Sequence, residues 1–299
     1  MLSSQSIFPT NEDILKKIAV ANQLIDKTGE IVNQYGCEPL DNSIAYREIA
    51  SFPNCSLVED VYSRALLCFE SAGDHLMAFS CTLQEPAKTL SPYTCLRSLL
   101  ESSALALWLL DLNIDVKERV GRCFGFRYKE FTEQIKFISA DKFNSNAQKE
   151  IYKIQQRINE TEKESLALGY PQLSANGKVN GIATYLPETV RLVKSVLDLE
   201  SEYRMLSGVA HSYIWATRNI GFKQIVGINA KGQKITGVEK HLNPKMVIYG
   251  VFLAVTTFAK VLWTIGKLYG WNMQEIEDFL DQVYNDIGVN NSLRFWLNK

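Results

Sequence analysis

The stretch EYRMLSGVAHSYIW, residues 202–215, places Arg204 and His211 seven positions apart. Seven residues are two turns of α-helix, so the two side chains would lie within about 20° of each other around the axis. Ser207 falls between them on that face, and Tyr203, one turn before Ser207, stands at its edge. A guanidinium can hold a phosphate through two parallel hydrogen bonds, and an imidazole can exchange a proton near neutral pH. With the 2′-hydroxyl of RNA as nucleophile, they are the smallest set that could cleave a phosphodiester without a metal. The same residue types also fit a polar seam between packed helices.

Three further groups stand out because charge interrupts apolar sequence. Arg97 and Glu101 are i, i+4 in LRSLLESSALALWLLD, a helix otherwise of Leu, Ala, Ser and Trp, where a partly buried ion pair is expected. Asp74 and His75 follow Gly73 and form either a polar patch or a satisfied imidazole. Arg119 and Arg122, i and i+3, would make a basic ridge paired with Glu118 or nearby acids. Tyr213, Trp215 and Trp263 read as core aromatics. Lys223, Lys231 and Lys234 read as solvated lysines.

Arg204-x6-His211 resembles the Arg-x(4–6)-His signature of HEPN-domain proteins, with the spacing at the upper end of that range and Met205 after the arginine. The resemblance implies an all-helical, cytoplasmic ribonuclease toxin or antiphage effector, acting as a homodimer with two motifs facing each other. It further implies that Arg204 binds the scissile phosphate and His211 acts as acid or base, with Ser207 and Tyr203 orienting them. A broader resemblance, to a class of bacterial helical proteins, rests on AGDHL, LRSLLESSALALWLLD, ERVGR and YRMLSGVAH in that order. It carries architecture rather than mechanism, and it suggests that Asp74, His75, Arg97, Glu101, Arg119, Arg122, Tyr203, Ser207 and His211 form one constellation. Two other functions stay open. One is a non-catalytic sensor that clamps a small anionic ligand through Arg97, Arg119 and Arg122. The other is a structural subunit that docks through the apolar face after Pro244.

Other chemistries lack their residues. The chain has no phosphate-binding glycine loop, no dinucleotide fingerprint, no HExxH and no GxSxG. Three histidines and no CxxC pair leave little for a metal site, and neither metal nor cofactor is expected. Net charge is −1, so no global field attracts nucleic acid, although a local basic site is still allowed. The six cysteines, Cys37 to Cys123, sit largely among apolar residues and are expected as reduced, buried thiols. No basic segment followed by an apolar run opens the chain, which fits the cytoplasm.

The elements that must position these groups are helical. With 46% apolar and 22% charged residues over 299 positions, the chain can bury a full core. Capping sequences open helices at Thr10–Asp13, Ser56, Ser91-Pro92, Asp115, Asn243-Pro244 and Asn272. Residues 146–168 read as a solvated helix and QLSANGKVNGIAT as an exposed loop. Residues 221–240 carry two β-branched runs around NAKGQ, a small hairpin. Met246–Gly266 is long enough to span a bilayer, but Lys260 interrupts it and a buried core helix is expected, with no membrane partner. The expected fold is therefore all-α: one helical-bundle domain, residues 1–299, of about seven to nine helices with an inserted β-hairpin, and a subdivision only at 170–185.

Overall fold

The computed structural model describes residues 12–175, 178–228 and 232–287. Their helices are α1 (Glu12–Tyr35), α2 (Ile44–Ser51), α3 (Cys55–Thr82), α4 (Ser91–Leu109), α5 (Val116–Ala140), α6 (Ala147–Ala167), α7 (Thr189–Leu197), α8 (Glu200–Ala210), α9 (Ile214–Asn219), α10 (Pro244–Tyr269) and α11 (Met273–Asp286). Two hairpins complete them, β1 (Gln172–Ala175) with β2 (Lys178–Ile182), and β3 (Phe222–Ile228) with β4 (Lys234–Lys240). The architecture is helical with two small antiparallel sheets.

Local chemistry accounts for several of the helix ends. The Asp115 carboxylate accepts from the Glu118 amide at 2.8 Å and opens α5. Asn243 accepts from the Lys245 amide at 3.1 Å, with Pro244 at the first helical position of α10. Gly36 and Gly270, at φ 80 and φ 77, stop α1 and α10 in the left-handed conformation that glycine adopts cheaply. The capping residue expected at Thr10 lies outside the described residues.

Eleven helices are described where about seven to nine were expected. The surplus comes from the short α2 and from breaks at Asp198 and Ser212, which take φ 58 and φ 57. Those breaks divide residues 189–219 into α7, α8 and α9. Neither is a glycine or proline, so no punctuation in the sequence marks them.

The described residues group into two compact units. One holds residues 12–46, 65–108 and 189–287; the other holds 47–64 and 109–188. In the first unit α10 is the central element, buried from Val247 to Tyr269 against α1 and α11 among others. Phe258 stacks on Phe69 with ring centroids 4.8 Å apart. α10 is the one described helix long and apolar enough to cross a membrane, and 61% of its most apolar window is buried inside the protein. Its apolar face is thus consumed by the chain's own core, which corrects the expectation that it forms an external docking surface.

In the second unit α5 packs along α6 through Phe131, Ile138, Ile154 and Ile158. The segment expected as an exposed loop is instead the β1–β2 hairpin, with a bulge between Leu173 and Ser174. The Tyr128 hydroxyl donates to Val179 O at 3.1 Å and the Tyr170 hydroxyl to Lys117 O at 2.6 Å, tying this region to α5. Asn176-Gly177 between the strands is the dipeptide that two-residue hairpin connections prefer. The second hairpin falls where the sequence places it, in register from Phe222↔Lys240 to Ile228↔Lys234. The six thiols are free, but Cys123 alone is buried, and Cys37, Cys55 and Cys81 are exposed, against the expectation of buried cysteines.

Gly125 of α5 has no room for a side chain, because a Cβ there would collide with the Thr184 carbonyl oxygen. Gly125→Ala should lower stability by about 1–3 kcal/mol. Gly73→Ala in α3, where the nearest atom would be Phe258 at an ordinary 3.6 Å, should raise it by about 0.5–1 kcal/mol through helix propensity. Urea unfolding of both variants measures the contrast.

Candidate functional site

α8 carries the arginine–histidine pair, and its ends explain where the two side chains go. Glu200 and Glu202 in the first turn oppose the positive end of the helix dipole. At the other end His211 is the cap, its amide donating to Ser207 O at 3.0 Å. Ser212 then turns left-handed, its amide reaching Val209 O at 2.9 Å, and the Tyr213 amide reaches back to Gly208 O at 2.8 Å. This is the paired hydrogen-bond pattern of a Schellman stop, with serine in the place glycine usually fills. Gly208 also lets α9 fold back closely, since a Cβ there would sit 2.8 Å from both Ala216 and the Trp215 ring.

The stop leaves the His211 imidazole exposed, with its ring centroid 5.8 Å from that of Tyr213. Arg204 is exposed as well. Its Nε and Nη2 both donate to Glu200, at 3.0 and 2.9 Å, and Lys194 reaches the other oxygen of that carboxylate at 2.7 Å. Lys194 and then Arg204 hold the Glu200 carboxyl below the usual carboxylate range. Ser207 is half-buried between them.

Tyr203 turns inward, about 100° around the helix from Arg204, and leaves this set. It is buried, and its hydroxyl donates to Glu101 at 2.6 Å and accepts from Arg97 at 3.4 Å. Arg97 also donates to Glu101 at 2.9 Å, and its guanidinium lies 5.6 Å from the centre of the Tyr203 ring. Burial, then the bond to Glu101, pushes the phenol pKa up. Arg97, Glu101 and Tyr203 form a closed polar knot joining α4 to α8.

Asp74 is exposed and His75 half-buried on α3. Arg119 corrects the picture of a surface ridge: it is 1% exposed, and its guanidinium donates to Glu48 at 3.1 Å, Leu109 O at 2.9 Å and Ile114 O at 3.4 Å. Glu48 also accepts from the Tyr62 hydroxyl at 2.6 Å. Arg122 pairs with Asp111 at 3.3 Å and Glu118 at 2.7 Å. These donors face protein acceptors, which removes the basis for an anion clamp built on Arg119. Arg97 lies in the first unit, Arg119 and Arg122 in the second.

Two polar regions escaped sequence reasoning. In the second unit Arg64 is held by Asp60 at 3.0 Å and by Glu130, while Arg127 stands 3.7 Å from both Asp60 and Glu164. Asp60, Arg64, Arg127 and Glu164 border a cleft of about 680 Å³ that also includes Arg157 and Glu160. Burial, then the neighbouring Asp60 charge, drives the Cys123 thiol pKa up, so the thiol stays protonated. The i, i+4 spacing of Asp60 and Arg64 was the available signal. In the first unit Tyr213 and Trp215 are 56% and 54% exposed, not core aromatics. A cleft of about 620 Å³ at the base of the β3–β4 hairpin is lined by Arg218, Phe222, Lys223 and His241. Lys231 lies outside the described residues. Among the described residues no group of three or more His, Cys, Asp or Glu is placed to hold a metal ion.

No protein-family model matches the chain, and no curated protein or solved structure matches it.

Removing Arg119 would strand the Glu48 carboxylate, 13% exposed, and two carbonyls. Arg119→Met should therefore cost about 3–5 kcal/mol. The Glu48→Met/Arg119→Met double variant should lose less than the sum of the single changes, as measured by a denaturant double-mutant cycle.

Proposed function

We propose that this protein is a HEPN-like, metal-independent endoribonuclease, a toxin or antiphage effector working as a homodimer in the cytoplasm. The observation that carries the reading is the solvent access of both Arg204, midway along α8, and His211, the cap at its C-terminal end. A sealed imidazole would have excluded it.

In this reading His211 takes the proton from a ribose 2′-hydroxyl. The freed oxygen attacks the adjacent phosphorus, and the 5′-oxygen leaves with a proton, giving a 2′,3′-cyclic phosphate. A second copy of the chain, facing the first, supplies the imidazolium that delivers this proton. Arg204 holds the non-bridging oxygens, and to do so it exchanges the Glu200 carboxylate for phosphate. Ser207 lies between the two, whereas Tyr203 acts through the packing of α8 against Arg97 and Glu101.

The surroundings suit a polyanion with bases. Tyr213 and Trp215 present exposed rings on which a base can stack. Among the described residues of 218–241, Arg218, Lys223, Lys234, Lys240 and His241 face a single acid, Glu239. Local positive charge can thus bind a phosphate backbone despite a net charge of −1.

The test is cleavage of an end-labelled RNA in the presence of EDTA. His211→Ala should lower the rate by about 10²–10⁴-fold and Arg204→Ala comparably. Both residues are exposed, so unfolding midpoints should move little. Cleavage by either variant at the wild-type rate would overturn the assignment of that residue. Glu200→Gln, which weakens the competitor for Arg204 while keeping its shape, should tighten RNA binding several-fold.

A further inference from the structure

The AGDHL stretch of α3 has no part in the ribonuclease reading, yet its Gly73 and Asp74 line a cavity of about 340 Å³ in the first unit. That volume lies within the roughly 300–1,000 Å³ of small-molecule sites.

Missing side chains open this cavity. Gly29 of α1 and Gly73 of α3 both line it. A Cβ at Gly29 would meet nothing within 4 Å, and one at Gly73 would meet only the Phe258 ring, at 3.6 Å. The buried, stacked rings of Phe69 and Phe258 form the floor. Ile25 and Val32 of α1 and Met77 of α3 extend the apolar lining.

Its charged groups all have one sign. Glu70 and Asp74 are i, i+4 on α3, neighbours on the helix surface, and both are exposed. Among the described residues neither carboxylate has an ion pair or a hydrogen bond. The lining holds no lysine, arginine or histidine. Lys27 of α1 is held by Glu30 at 3.0 Å and by Glu275 at 3.8 Å. His75 follows Asp74 but stands about 100° around the helix, outside the lining. The Thr28 hydroxyl donates to Leu24 O at 2.6 Å, which leaves Asn33 as the other polar side chain at the rim. Two carboxylates above aromatic rings offer a metal ion too few oxygens.

We infer that this cavity binds a small organic cation, an ammonium group on an apolar ring or chain. The ammonium sits at the rim between Glu70 and Asp74, and the apolar body lies against Phe69, Phe258 and Met77. An anion fits poorly, because the lining offers it no cation. The inference does not rest on the ribonuclease reading.

Titration calorimetry of the full chain with phenethylammonium at low salt tests it. Phenethyl alcohol supplies the same body without charge, and phenylpropionate supplies it with the opposite charge. Wild type should bind the ammonium about tenfold or more tightly than either. The Glu70→Gln/Asp74→Asn double variant should abolish that preference. Both residues are exposed, so its unfolding midpoint should move little. Gly29→Leu puts a side chain into the cavity, keeps both carboxylates and favours the helix. It should weaken the ammonium by about tenfold. Absence of ammonium binding, equal binding of phenethyl alcohol, or undiminished binding by either variant would each overturn the inference. Displacement of the ammonium by an equal concentration of magnesium would overturn it too, as the mark of a patch for hydrated cations.

Discussion

The first unit depends on the burial of α10. A helix of 26 residues with one charge between Met246 and Gly266 cannot present its sides to water, so the rest of the unit must cover it. Close approach is made possible where side chains are missing. At Gly250 the Phe79 ring comes within 3.3 Å of where a Cβ would be, and at Gly266 the side chain of Ile276 comes within 2.9 Å. About two turns further along α10, Phe258 stacks on Phe69. Lys260 is the exception in this helix, and it is placed where a helix end offers a carbonyl.

Polar groups sort according to whether the protein can satisfy them. Arg97, Glu101 and Tyr203 close a knot in which each charge or hydroxyl has a partner, and Arg119 does the same with Glu48 and two carbonyls. Such groups hold helices in register and offer little to a ligand. Arg204 lies on the exposed side of α8 against Glu200, and His211 lies outside these knots where α8 ends at Ala210 and turns away through Ser212. One left-handed residue thus decides that an imidazole faces solvent. Tyr203 and Arg204, neighbours in sequence, are separated by about 100° of helix rotation into different roles.

Much of this was legible locally. Asp115 and Asn243-Pro244 announce helix starts, Gly36 and Gly270 announce stops, and the β-branched runs around NAKGQ announce the second hairpin. The Arg97–Glu101 spacing announced an ion pair. The breaks at Asp198 and Ser212 were not legible, because a non-glycine residue adopts positive φ only when its neighbours impose it. The first hairpin looked like a loop because its apolar alternation is short and its anchoring tyrosines, Tyr128 and Tyr170, lie outside it.

The sequence by itself determined the helical class and the apolar core helix, since these follow from periods and caps within a few residues. Tertiary structure decided which charges are sealed and which are free to act. Arg119 looks like a surface arginine until Glu48, 71 positions earlier, is brought to it. Tyr213 and Trp215 look like core until their side chains are found in solvent. Burial and charge satisfaction depend on partners distant along the chain, and no local pattern encodes which partners those are.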